Sequence, residues 1–391
     1  MKKIIFSFFV IGALSNSVHA QNVHIPDANF KAYLVGNKLI NTNGDSEIQL
    51  SEANSFTGEI MCRKKRIRDL TGIEKFTKLT KLDCSSNVIE EFKMDLSKNT
   101  ELTYLDCSNN YVPSLSLVEL NLVENTKLKQ LNCSKAFIKS INISNNKELI
   151  YLDCQKNKLS ELNISANLAL QILKCSNNDS LSSLNVKQHK SLIELNCTYT
   201  AITNLEVNKK MEYLFCNRTN LTSLNVTNNT SLKQLQCSRN GQLKSVDVSN
   251  CNNLQYLTCE ENSSLTSLKM SNCNNLIDIN CSKNKLTVLL VPKSLKLKKI
   301  NCRDNYITSL NLSNNPNLED IECTNNSLTS LNIANGNNDK LSAYFGLGAK
   351  GNKTLKCIQV DNVESAKKKW SCRSNEIDCS VIFSTNCSGG Q

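Results

Sequence analysis

Leu149-x-x-Leu152-x-Cys154-x-x-Asn157-x-Leu159-x-x-Leu162-x-Ile164-x-x-Asn167-x-x-Leu170 is one period of a pattern that runs through most of this chain. It makes nearly the same statement twice. In the first half Leu152 and Cys154 alternate with polar neighbours, the period of a short strand that points both side chains inward. Leu162 and Ile164 repeat the alternation in the second half. A helix is hard to fit between such closely spaced turns, so each period reads as a coil carrying two short strands.

The cysteine recurs as Cys84, Cys107, Cys133, Cys154, Cys175, Cys197, Cys216, Cys237, Cys259, Cys281, Cys302 and Cys323, at intervals of 19 to 26 residues, mostly 21 or 22. A fixed period of this length marks a solenoid, in which each unit buries its apolar edge only against its neighbours. Stacking then lays like strands side by side, parallel and about 4.8 Å apart. Cys62 extends the column backwards, with Ile60 before it and Ile67 and Leu70 after it, although Lys65 replaces the asparagine. Three residues after the cysteine stands Asn87, Asn110, Asn157, Asn178, Asn240, Asn262, Asn284, Asn305 or Asn326, replaced by Ala136, Thr200 and Thr219 in three coils. A turn exposes backbone groups that cannot all pair within it, and an inward amide both donates and accepts. These asparagines read as a structural ladder. Length changes fall in turns, as at Asp179-Ser180, Gly241-Gln242 and an insertion around Val118.

The doubled phrase resembles the leucine-rich repeats of the irregular bacterial subclass that reads LxxLxCxxNxLxxLDLxxN, over roughly residues 60 to 345. The resemblance implies a β-rich leucine-rich repeat solenoid with parallel strands, two short strands per coil, and a cap at each end. Ile25-Pro26-Asp27-x-x-Phe30-x-x-x-Leu34 reads as a short N-terminal amphipathic helix opened by proline and acid. It resembles the N-terminal cap of exported bacterial repeat proteins. Cys357-Ile-Gln-Val-Asp361, Trp370 and Cys387 resemble the C-terminal cap of the same proteins. The expected organisation is a signal peptide over 1–20, a cap over 21–59, repeats over 60–345 and a second cap over 346–391.

Lys2 and Lys3, an apolar run from Ile4 to Leu14, and Val18-His19-Ala20 together read as a cleavable secretory signal. No later stretch approaches the roughly 18 apolar residues of a membrane span. A secreted, periplasmic or cell-surface location is expected. Cleavage lowers the formal charge from +11 to +9, an excess too small to imply nucleic acid.

Nineteen cysteines in an exported chain suggest disulfides. The column argues otherwise for most of them, because stacked Cβ vectors are nearly parallel and a disulfide needs a torsion near 90°. They read as buried free thiols. Cys357, Cys372, Cys379 and Cys387 lie outside the column; sequence does not determine their connectivity, and the expected pairs are Cys357 with Cys387 and Cys372 with Cys379. Cys251 and Cys273 occupy the second asparagine column of adjacent coils, where pairing and inward thiols are both open.

Three motifs invite chemistry. Asn41-x-Asn43-x-Asp45-x-Glu47-x-x-x-x-Glu52 matches EF-hand calcium spacing. A neutral residue stands at position 1 and Ser46 where the loop wants glycine, so a metal-free turn is the expectation and no cofactor is assigned, with calcium held by Asn41, Asn43, Asp45, Glu47 and Glu52 as the alternative. Gly346-x-Gly348-x-x-Gly351 spells a dinucleotide fingerprint but follows a repeat strand without the required helix. Counted from Cys323, Gly346 is expected in the cysteine column, with Leu355 and Cys357 as second-half strand residues. Arg63-Lys64-Lys65-Arg66-x-Arg68 is a basic run that reads first as a solvated end, as does Lys367-Lys368-Lys369.

Only His24 and His189 follow the signal, and no catalytic constellation or metal-ligand spacing is present. The chain is not expected to be an enzyme. Surface remains. Along the outward positions of the first-half strands lie Tyr104, Tyr151, Tyr213, Phe215 and Tyr256, with Asp83, Asp106, Asp153, Glu194, Asp278, Asp320 and Glu322. Aromatics suit strands in general, yet rigid exposed ones are also the anchors that interfaces favour. The expected function is an exported recognition or adhesion protein that binds a protein partner through this sheet. The alternative is a carbohydrate or envelope-polymer binder using the same face or the basic coil.

Overall fold

The computed structural model describes residues 21–90, 94–110, 119–342, 346–370, 372 and 376–387. The expected signal peptide over 1–20 and most of the insertion around Val118 lie outside them. Three-residue strands stack in chain order, each donating its ladder to the next, into a 14-stranded parallel sheet that begins at Glu59–Met61 and ends at Leu347–Gly348. The middle residue of each strand points into the core, as Leu82, Leu105, Leu131, Leu152, Leu173 and Leu195 do in register. This is the parallel leucine-rich repeat solenoid expected.

The second half of the coil is less regular. It forms ladders at Glu119–Asn121 with Ser140–Asn142, across three strands from Ser223–Asn225 to Ser267–Lys269, and across four from Ser309–Asn311 to Ile382–Ser384. Between these, Leu162, Ile164, Leu184, Val186 and Leu205 are buried without ladder bonds. Side-chain burial and the inward polar groups of Asn167, His189 and Asn208 hold that edge there.

All fifteen free cysteines are buried, including the thirteen of the column. Both expected disulfides are present, Cys357–Cys387 with Cα atoms 5.8 Å apart and Cys372–Cys379 with Cα atoms 4.9 Å apart. Cys251 and Cys273 are inward thiols, donating to the carbonyls of Val226 and Val248 at 3.2 and 3.1 Å.

The asparagines tie coil to coil. Asn157 Nδ2 donates to the carbonyls of Cys133 at 2.9 Å and Cys154 at 3.0 Å, while its Oδ1 accepts from the N–H groups of Ala136 and Ile138. A second ladder runs on the other side of the core, where Asn146 Nδ2 donates to Leu122 and Asn125 carbonyls. His189 belongs to that column: it is buried and its Nε2 lies 3.0 Å from the Ile164 carbonyl.

The residue before each ladder position adopts the left-handed conformation, with φ between 51° and 59° from Lys64 through Asn325. That conformation costs roughly 1 kcal/mol for side chains other than glycine, asparagine or aspartate. At Ser86 (φ 56°), glycine is expected to be neutral to stabilising by up to ~1 kcal/mol, and valine destabilising by at least ~1 kcal/mol, in urea unfolding.

The last coil corrects one expectation. Strand register pairs Ile321 with Leu347, so Ala349, not Gly346, continues the cysteine column. Asn352 confirms it by donating to the carbonyls of Cys323 and Ala349, and Gly351 takes the left-handed position at φ 75°. Ile358 therefore points inward and Cys357 flanks it, free to meet Cys387. The extra length sits earlier, around the turn at Asn338–Lys340. Gly348 lies against the Glu322 carboxylate, which a Cβ would meet at 2.6 Å. The three glycines thus serve strand and turn.

At the N-terminal end, helix α1 (Ala28–Val35) buries Phe30 and Leu34. Asp27 caps it through Phe30 N–H and with its other oxygen accepts from Arg68 N–H. Tyr33 Oη accepts the Met61 N–H at 2.9 Å, covering the edge strand that would otherwise invite another chain. Helix α2 (Leu50–Ser55) follows. At the other end α3 (Val363–Lys369) leads into buried Trp370, whose ring lies 6.1 Å from that of Phe383. Among the described residues no helix is long and apolar enough to cross a membrane.

Candidate functional site

Each strand of the long sheet turns outward the two residues that flank its inward leucine or isoleucine, most of them half-buried and Asp153 buried outright. Stacking turns them into two columns. The leading column runs Lys81, Tyr104, Gln130, Tyr151, Ile172, Glu194, Tyr213, Gln234, Tyr256, Asp278, Lys299, Asp320. The trailing column carries Asp83, Asp106, Asn132, Asp153, Lys174 and Asn196, then Phe215 and onward to Glu322. The structure therefore brings Tyr104, Tyr151, Tyr213, Phe215 and Tyr256 onto one surface. One strand separates Tyr104 from Tyr151 and Tyr213 from Tyr256, which puts each pair about 10 Å apart.

With Glu59 at the head of the leading column, eight carboxylates and three lysines (Lys81, Lys174, Lys299) stand in the two columns, so the face is net negative with cations interleaved. Around Tyr151 the charges converge. Its hydroxyl reaches Asp153 Oδ2 at 3.4 Å, and the Lys174 ammonium stands 5.8 Å from the ring centroid. Burial, then the Asp153 charge, pushes the Tyr151 phenol up to about 12. Burial raises Asp153 as well, against hydrogen bonds from Gln155 and the Lys174 charge. Asp278 and Asp320 are raised by burial too, with Lys299 opposing. Near the N-terminal end a depression of about 360 Å³ is lined by Met61, Lys81, Thr103, Tyr104, Lys129 and Gln130. Met61 and Lys129 were not legible as site residues; only strand register places them beside Tyr104.

The trailing acids have a second occupation. Asp106 Oδ1 accepts from Ser108 N–H at 2.9 Å and Asp153 Oδ1 from Gln155 N–H at 3.1 Å. Asn132, Asn196 and Asn280 make the same bond in other coils. Aspartate and asparagine exchange there because either oxygen closes the turn. That alternation was visible in the sequence and marks Asp106 and Asp153 as turn residues as much as surface ones. Asp278, in the leading column, has no such duty.

The EF-hand-like loop satisfies itself. Glu52, buried, accepts from Thr42, Asn43 and Gln49, and these bonds hold its carboxyl low although burial opposes them. Asn41 Oδ1 accepts from Gly44 N–H, Asp45 Oδ1 from Glu47 N–H, and Glu47 pairs with Lys31. Among the described residues no group of three or more His, Cys, Asp or Glu side chains forms a metal centre.

No protein-family model matches the chain, and no curated protein matches it. Among solved structures the chain is similar to the functional domain of InlJ from Listeria monocytogenes, which includes a cysteine ladder. The two share 28% identity over 89% of this chain and 79% of that one, with a TM-score of 0.57. It is also similar to a leucine-rich repeat protein of Leptospira interrogans, at 16% identity over 84% of this chain and 97% of the other, TM-score 0.49. An internalin, InlF, of Listeria monocytogenes matches at 18% identity over 88% and 93%, TM-score 0.44.

Proposed function

We propose that this protein is an exported, non-enzymatic recognition or adhesion protein that holds a protein partner against its long parallel sheet. The observation that carries this reading is the gathering of five aromatic side chains on one rigid, net-negative surface. Aromatic anchors with their backbones already fixed lose little entropy on binding. Carboxylates beside them favour lysine or arginine on the partner, which can also sit over a tyrosine ring as Lys174 and Lys233 already do. A basic segment of another protein fits this chemistry. The likeness to the InlJ functional domain and the two cap disulfides support an oxidising, extracytoplasmic setting.

A photo-crosslinking residue in place of Gln130 or Gln234 is expected to trap a discrete partner from cell-surface extracts, and one in place of Ser223 or Ser309 none. Tyr151→Ala/Tyr213→Ala should weaken that partner's binding at least tenfold, about 1.4 kcal/mol or more. Full binding by the double variant, or equal trapping from both faces, would sink the sheet assignment.

A further inference from the structure

We propose that a second surface, the turn edge bearing Lys135, Phe137, Lys156 and Lys158, binds an anionic polysaccharide laid along the solenoid axis. Lys135 and Lys156 hold the left-handed position of neighbouring coils, both at φ 55°. Glycine, asparagine or aspartate suits that conformation best. Lysine or arginine nevertheless occupies it in six of the thirteen cysteine-column coils. A residue choice that opposes backbone preference, repeated along one edge, needs a reason beyond folding, and a cation in each neighbouring coil supplies one. The repeat there is about 4.8 Å, close enough for successive charges on one extended polymer.

Further along this edge Arg239 and Lys283 both pair with Glu261, at 3.0 and 3.2 Å, and Arg218 lies 4.6 Å from the Tyr199 ring centroid. Lys158 lies 4.0 Å from Asp179. Among the described residues no carboxylate lies within 4 Å of Lys135 or Lys156, and both are exposed. Between them runs an open groove of about 450 Å³ lined by Asn109, Lys135, Phe137, Lys156, Lys158 and Asn177. Ammonium groups meet carboxylate or sulfate, side-chain amides meet hydroxyls, and the half-buried Phe137 side chain adds apolar contact at the groove wall. A lipid surface would ask for more apolar side chains than one. The long sheet, being net negative, faces a different kind of partner.

Binding to immobilised heparin, as a sulfated chain, and to polygalacturonate, as a carboxylated one, tests the assignment. A single-stranded oligodeoxynucleotide of matched charge and phosphatidylserine vesicles serve as competitors. At least one polysaccharide should bind better than either competitor, and which one binds tells sulfate from carboxylate. Lys135→Ser/Lys156→Ser should weaken it at least tenfold and flatten its salt dependence, whereas Lys135→Arg/Lys156→Arg should retain it. Phe137→Ser should weaken it with the salt dependence unchanged. Lys293→Ser/Lys296→Ser, away from the edge, and Tyr151→Ala/Tyr213→Ala, on the sheet, should leave it intact. No polysaccharide binding, preference for the oligonucleotide or vesicles, or equal loss in the Lys293/Lys296 control overturns the proposal. Matching circular dichroism melts exclude misfolding as the cause.

Discussion

Raising the pH from 8 to about 10.5 without oxygen is expected to unfold this protein cooperatively, and the cysteine column is the reason. Burial pushes the Cys62, Cys107, Cys197 and Cys281 thiols up to about 12, and raises Cys84, Cys133, Cys175, Cys216, Cys237, Cys259 and Cys302 well above the ordinary value. In the unfolded chain a thiol ionises near 8.5. Above that pH the unfolded state releases protons that the folded state keeps, so stability is complete below ~8.5 and falls as pH rises. The loss is about 1.4 kcal/mol per thiol for each pH unit. Half the column, one unit above that point, already removes an amount comparable to the 5–15 kcal/mol that holds an ordinary domain together. Far-UV circular dichroism should collapse together with iodoacetamide labelling of all fifteen free cysteines. Replacing Cys175 and Cys197 with alanine should move the alkaline midpoint upward at equal neutral stability, separating thiols from tyrosine and lysine titration. A chain still folded and unlabelled at pH 11 would refute the account.

The column that governs this behaviour was legible because its period is written in one residue type. Cys154 and Leu152 alternate with polar neighbours, and only an inward strand face satisfies that alternation coil after coil. The asparagine ladder was legible for the same reason. What sequence hid was register across variable turns. Counting 23 residues from Cys323 led to Gly346, whereas the turn at Asn338–Lys340 takes up more length and hands the column to Ala349. Turn length is nearly free energetically, so spacing alone cannot say where an insertion sits. The aromatic residues of the long sheet were found correctly as outward neighbours of leucine. The turn-closing role of Asp106 and Asp153 was signalled only by the asparagines at the equivalent places, Asn132 and Asn196, whose oxygens accept the same bond two residues along. The cationic turn edge was hidden more deeply. Lys135 lies one coil before Lys156 and Lys158 and becomes their neighbour only when coils stack.

Asn157→Ala should cost at least ~3 kcal/mol, because it strips partners from four backbone groups at once. The carbonyls of Cys133 and Cys154 and the N–H groups of Ala136 and Ile138 all bond to this one amide. All four residues are buried, and no water replaces a partner inside a column of leucine and cysteine side chains. The chain itself supplies a graded control. Thr200 stands at the equivalent position and gives its Oγ1 to the Cys197 carbonyl at 2.8 Å, so a hydroxyl meets part of the demand. Asn157→Thr should therefore lose less than alanine. Asn157→Asp should lose more, since it removes the donor and buries a charge against two carbonyl oxygens. Because each coil touches only its neighbours, a cut at this position uncouples the coils before it from those after it. Urea unfolding of Asn157→Asp should accordingly broaden or divide into two steps, with a lower apparent m-value than the native chain. A single sharp transition within ~0.5 kcal/mol of the parent for all three variants would mean that packing of the apolar columns, not the amide ladder, joins one coil to the next.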